Sequence, residues 1–71
     1  MYRFLVVIEK TDSNYSAYSP DLPGCVATAR TRDRVSREMR VAIQMHVRGY
    51  LEDNLPIPDG NASAEYIVID A

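Results

Sequence analysis

The chain has 71 residues, of which 46% are hydrophobic, and a formal net charge of −2 at pH 7. A single cysteine and a single histidine exclude both a disulfide framework and a structural zinc site, so no cofactor or metal is expected. A domain this small buries only about 60% of the surface that its unfolded chain exposes. We therefore expect residues 1–71 to form one domain that gains buried area by self-association. An unpaired cysteine is typical of the cytoplasm, and the longest apolar run, residues 4–8, is too short to cross a membrane.

Charge is distributed unevenly along the chain. Residues 30–48 contain six arginines against two acidic residues, a balance of +4. Residues 49–71 contain five acidic residues and no basic one, a balance of −5. The middle of the chain is therefore basic, and its C-terminal part is acidic.

A β-branched and aromatic run predicts the first strand, over residues 2–10. Side chains alternate between the two faces of a strand, so Phe4 and Ile8 share one face while Leu5 and Val7 share the other. Because both faces are apolar, we expect this strand at the centre of the sheet.

Two prolines and a glycine fix the next corner of the chain. Pro20 and Pro23 restrict the backbone, and Gly24 can adopt the positive φ that a type II turn requires. The corner is predicted to join two antiparallel strands, over residues 15–19 and 25–30. The alternative is an ordinary rigid surface loop.

A single amphipathic helix is predicted from residue 32 to Asn54, because apolar residues recur there at intervals of three and four. Thr31 is a suitable N-cap, and Asn54 can end the helix in left-handed geometry. His46 lies at the centre of the apolar stripe, where we expect a structural histidine that hydrogen-bonds to the sheet backbone. Gly49, beside the stripe, is expected to allow a close backbone approach.

Residues 65–70 predict a last strand, parallel to the first and reached by a right-handed crossover. The predicted fold class is α+β, with two layers in the order β-β-β-α-β. A mixed four-stranded sheet carries one helix packed on one face.

One helix covers only one face of such a sheet, so apolar residues on the other face would meet water. This uncovered apolar surface predicts an interface with another protein or with a second copy of the chain. The alternative is that the irregular segments around Pro20 and Pro56 fold over this face. The predicted interface residues are Leu5, Val7, Tyr66 and Val68.

Three carboxylates, those of Glu9, Glu38 and Asp70, are spread like the acidic cluster of a two-metal nuclease. Such a site needs a carboxylate within the central strand, and residues 4–8 are all apolar. We therefore predict no enzymatic activity and no catalytic residues.

Arginines also mark the polar side of the predicted helix. Arg37, Arg40 and Arg48 could pair with nucleic acid or with an acidic protein. The aromatic residues that single-strand binders interleave with such arginines are missing, so nucleic acid is the less expected partner.

Three segments together resemble the N-terminal domain of HicB-family antitoxins: YSAYSPDLPGC (residues 15–25), AIQMHVRGYL (residues 42–51) and LPIP (residues 55–58). The resemblance implies a partial RNase H-like fold without the nuclease site. It also implies assembly into dimers or tetramers and neutralisation of HicA, a small basic RNA-cleaving toxin. His46 and Gly49 fall in a His-x-x-Gly step of the family pattern, and structural roles are expected for both.

Two features depart from the family pattern. Full-length members add a C-terminal DNA-binding domain, and this chain has no room for one, so autorepression is not expected. The helix start, Thr31 to Arg34, is basic where the family is usually acidic, which disfavours a basic toxin at that end. The leading prediction is a non-enzymatic, HicB-like binding protein, and the alternative is an orphan member whose arginine face binds an acidic partner.

Overall fold

Three short strands and one long helix make up the regular structure of residues 2–71, the part of the chain that the computed structural model describes. The strands are β1 (Val7–Lys10), β2 (Tyr15–Tyr18) and β3 (Val26–Ala29), and the helix is α1 (Arg32–Glu52). The strands form an antiparallel sheet in the order β1-β2-β3. The helix covers one face of this sheet and packs mainly against β3 and β2.

The proline corner between β2 and β3 is a type II turn, as predicted. The N–H of Cys25 donates to the carbonyl oxygen of Leu22 at 3.0 Å, and Gly24 has a φ of 81°. The corner also contributes to the core, because the side chains of Leu22 and Cys25 are almost completely buried. It is therefore more than a surface loop.

Both ends of α1 have the caps that the sequence predicts. The hydroxyl oxygen of Thr31 accepts a hydrogen bond from the N–H of Arg34 at 3.1 Å. At the other end, Asn54 adopts a left-handed φ of 54°, and the N–H of Leu55 donates to the carbonyl oxygen of Tyr50 at 2.9 Å. No helical stretch between residues 2 and 71 combines the length and apolar character that a membrane span requires.

The core lies between α1 and the β2-β3 half of the sheet. Small side chains in these strands, such as Ala17 and Ala27, allow the helix to approach closely. β1 lies farther from α1, and its apolar residues are only partly buried. In the described part of the chain, the fully buried apolar residues are Ala17, Leu22, Cys25, Val35 and Met39.

Three predictions about the sheet are wrong. The first strand begins at Val7 rather than at residue 2, and β1 lies at the edge of the sheet rather than at its centre. Residues 65–70 form no strand, so the sheet has three antiparallel strands instead of four in a mixed arrangement. A strand requires a hydrogen-bonded neighbour, and residues 65–70 have none in the described chain. The α+β class, the helix and the order of the first four elements are confirmed.

Candidate protein-protein interface

A row of apolar side chains crosses the face of the sheet that α1 leaves uncovered. Val7 is the register partner of Tyr18, and Tyr18 is the register partner of Val26. Their neighbours in sequence, Ile8, Ala17 and Ala27, pack into the core, so the row points to the opposite side. We call Val7, Tyr18 and Val26 the apolar row. Val26 is 64% exposed, so the irregular segments of the chain do not cover it.

The next row on the same face is polar. Glu9 is paired in register with Ser16, and Ser16 with Thr28. The uncovered face therefore has an apolar end, near the proline corner, and a polar end, near the start of α1. This division limits an apolar contact to one half of the face.

The four predicted interface residues have different environments. Leu5 and Val7 are partly buried and line a groove of about 370 Å³ beside residues 64–66. Tyr66 and Val68 belong to the apolar stretch of residues 66–69, here called the C-terminal segment. Its side chains are between 73% and 102% exposed. The structure thus brings Leu5 and Val7 to the start of the C-terminal segment but does not pack the segment against them.

A second groove, of about 360 Å³, separates β1 from α1 on the covered face of the sheet. Phe4, Val6 and Ile8 line its strand side, and Met39 and Ile43 line its helix side. These strand residues are only partly buried, because α1 packs over the opposite half of the sheet. Apolar surface is therefore accessible on both faces of residues 4–8, which lead into β1 and are here called the β1 region.

The three predicted arginines are exposed on α1. Arg40 lines the groove between β1 and α1, and Arg48 lines its continuation toward the end of the helix. Within residues 2–71, the ion pair that forms joins Arg34 to Glu38 at 3.7 Å and involves none of the three. Their positive charge is available to a partner.

Two structural predictions for α1 are wrong. The Nδ1 atom of His46 lies 3.1 Å from the carbonyl oxygen of Ala42, so this histidine bonds to its own helix rather than to the sheet. Apart from its chain neighbours and the adjacent helix backbone, no atom lies within 4 Å of a Cβ added to Gly49, so Gly49 is not a site of close approach within the chain. Both residues are only partly buried.

The potentially reactive groups are Cys25, which is buried in the core, and three exposed carboxylates. Burial raises the pKa of the Cys25 thiol, which disfavours the reactive thiolate. Across residues 2–71, no three side chains among His, Cys, Asp and Glu come together as a metal site would require. The carboxylates of Glu9, Glu38 and Asp70 are accordingly not gathered into one cluster.

Sequence reasoning missed two members of the apolar row, Tyr18 and Val26. The signal was present in the alternation of the two strands, because Ala17 precedes Tyr18 in β2 and alanines occupy every second position of β3. Assigning Ala17, Ala27 and Ala29 to the helix side would have placed both missed residues on the uncovered face.

Residues 4–69 match the family of HicB-like antitoxins of bacterial toxin-antitoxin systems. The chain belongs to this family. The HicB-like match includes the C-terminal segment, which is therefore part of the family's domain even though it lies outside the sheet.

One curated relative is an uncharacterised 14.9 kDa protein of the rep-hol intergenic region of Haemophilus phage HP1 (strain HP1c1). It is 34% identical over 62 residues, which are 87% of this chain and 47% of the phage protein. The HicB-like chain thus spans about half the length of that relative. No solved structure matches the chain.

Proposed function

We propose that this HicB-like protein is an antitoxin that acts by protein-protein binding. Its proposed partners are a second copy of itself, in a dimer or tetramer, and a small RNA-cleaving toxin of the HicA type. Binding the toxin would cover the surface that cleaves RNA. The cytoplasmic location inferred from the sequence stays a prediction.

The observation that carries this proposal is the accessible apolar surface around β1. It includes the apolar row, the two grooves that flank the β1 region and the C-terminal segment. Soluble monomers rarely expose contiguous apolar surface of this kind, and a larger patch marks an interaction site. Burying it against a partner removes apolar area from water at about 25 cal/mol per Å².

Binding without catalysis is the activity that these residues support. The carboxylates that a nuclease would need are dispersed, Cys25 is buried in the core, and His46 is engaged with its own helix. Catalysis by side chains needs a nucleophile, a base and an oxyanion donor close together. We therefore propose a non-enzymatic role.

Co-expression with the product of a neighbouring toxin-like reading frame tests the antitoxin proposal. The wild-type chain should restore growth to cells that express the toxin and should co-purify with it. Val26→Asp, which places a charge in the apolar row, should weaken the complex at least tenfold, a loss of about 1.4 kcal/mol.

Met45→Asp is the matched control, because Met45 is exposed to a similar extent, 67%, but lies on α1 away from the sheet face. It should leave toxin binding unchanged. Failure of the wild-type chain to bind or neutralise the toxin would contradict the antitoxin proposal. Equal effects of the two variants on binding would indicate that the toxin does not bind at the apolar row.

The exposed arginines favour a second candidate function, an orphan HicB-like module that binds nucleic acid or an acidic protein. Arg37, Arg40 and Arg48 have no acidic partner among residues 2–71. Single-stranded RNA binding would weaken with rising salt, with a logarithmic slope of about −0.7 per phosphate contact. Arg40→Ala should reduce that slope, whereas Arg34→Ala, which removes a residue already paired with Glu38, should not. Absence of salt-dependent binding would eliminate the nucleic-acid candidate.

A further inference from the structure

The apolar character of the β1 region does not match the position of β1 in the sheet. The β1 region is apolar on both faces, as is typical of a strand with neighbours on both sides. Yet β1 pairs with β2 alone in the described chain, and the backbone along its other edge has no strand beside it. A strand edge without a hydrogen-bonded strand beside it is a template for pairing with another chain.

The C-terminal segment has residues that suit a strand but no strand to pair with in the described chain. Its four residues, Tyr66 to Ile69, are aromatic or β-branched and suit a strand, but they are exposed and belong to none. They also extend the molecule. The radius of gyration is 14.0 Å, compared with about 11 Å for a compact chain of this length. The longest dimension is 49 Å, against 28 Å and 19 Å for the other two.

We propose that the C-terminal segment of one copy adds as a fourth strand to the β1 edge of a second copy, and that the exchange is reciprocal. This inference rests on the self-association proposed above and specifies its geometry. Each copy offers one edge and one segment, so two copies satisfy each other and form a closed twofold dimer. Main-chain hydrogen bonds would supply affinity, as in other cases of strand addition.

The side chains of the added strand match what β1 leaves uncovered. Alternate residues point to opposite faces. Two of the four would enter the groove beside Phe4 and Ile8, and the other two would cover Leu5 and Val7. The exposed apolar surface of the segment and that of the β1 region are thus buried together.

The distribution of charge also favours the C-terminal segment of a second copy as the strand that adds to the β1 edge. The C-terminal segment is flanked by Glu65 and Asp70, and residues 49–71 carry a charge of −5. The groove between β1 and α1 is bordered by Arg40, and the one beside Leu5 by Arg32. An acidic strand from a second copy would therefore meet a basic rim.

A hydrogen bond holds the chain against the proline corner shortly before the C-terminal segment begins. The N–H of Ala62 donates to the Asp21 carboxylate at 3.1 Å, which ties the chain to the proline corner. Residues 64–66 then pass the groove beside Leu5, and residues 65–71 continue exposed. The segment is thus held close to the dimer contact while its own sheet leaves it unpaired.

Val68→Pro is the decisive variant, because proline lacks the N–H that a strand donates and Val68 is exposed in the single chain. Val68→Ile is the matched control, since it keeps the N–H and the β-branched shape. Sedimentation across micromolar concentrations should show a dimer for the wild type and for Val68→Ile. Val68→Pro should associate at least tenfold more weakly, with an unchanged helical circular dichroism spectrum.

Hydrogen exchange and isotope-filtered NMR on the wild-type chain provide a test that needs no variant. The amides of residues 67–69 should be protected in the dimer. A mixture of labelled and unlabelled chains should give contacts between this segment and the β1 region of the other copy.

Three outcomes would overturn the proposal. A Val68→Pro dimer as tight as the wild type would refute strand exchange while leaving self-association intact. A wild-type monomer with protected segment amides would show that the segment closes on its own β1. A wild-type monomer with unprotected amides would refute any pairing of the segment. Toxin neutralisation by the wild type is scored separately, so failure of strand exchange is distinguishable from failure of the antitoxin proposal.

Discussion

Replacing Gly49 with alanine should stabilise the fold. Gly49 lies within α1, and a Cβ added there would meet no atom within 4 Å other than its chain neighbours and the adjacent helix backbone. Glycine in a helix interior is about 0.8–1.0 kcal/mol less favourable than alanine, because it loses more backbone freedom on folding. With no steric penalty to oppose this gain, we expect the free energy of unfolding to rise by about that amount. For a domain of this size, the melting temperature should increase by about 4–8 °C.

Gly24→Ala is the matched control, because it makes the same chemical change with the opposite expected sign. Space around Gly24 is also open, but its φ of 81° is left-handed, and alanine there costs about 1–2 kcal/mol. Both variants can be compared by thermal unfolding followed at the helix band, at several protein concentrations because association raises the melting temperature. A lower melting temperature for Gly49→Ala would refute the assignment of Gly49 to open space. If that loss grew with concentration, it would place a second chain against this part of α1.

Three further predictions concern the core, the helix cap and the cysteine. Leu22→Ala should destabilise the fold by about 2–5 kcal/mol in urea unfolding, whereas Leu51→Ala, at an exposed position, should change it far less. Thr31→Ala should cost about 1 kcal/mol, and Thr31→Ser, which keeps the capping oxygen, should restore most of it. Because burial raises the pKa of Cys25, its thiol should react with Ellman's reagent much more slowly in the native chain than in urea. Equal rates in the two states would contradict the burial of Cys25.

Local signals explain why much of the fold could be predicted from the sequence. The type II turn requires only Pro23 and Gly24 in the right order, and the helix start requires only Thr31 before an apolar periodicity. These features depend on residues close in sequence. The structure has the turn and the helix start at the positions that the sequence predicts, and the α+β class follows from these features.

Errors arose where a residue's environment depends on distant parts of the chain. His46 lies on the apolar stripe and Gly49 lies beside it, but how deeply the stripe is buried depends on where α1 crosses the sheet. The helix packs over β2 and β3, which leaves both residues and the β1 side less covered than the periodicity alone suggests. Composition similarly predicted the last strand, but pairing requires an available partner, and propensity does not specify which chain provides it.

The incomplete sheet links association to folding stability. Few apolar side chains are fully buried in the described chain, so its own core supplies limited stabilisation. A partner that binds only the folded state adds its binding free energy to the stability of that state. If association also completes the sheet at the β1 edge, the bound chain resists unfolding more than the free chain does. The same apolar surface would then determine both what the protein binds and how long an unbound copy stays folded.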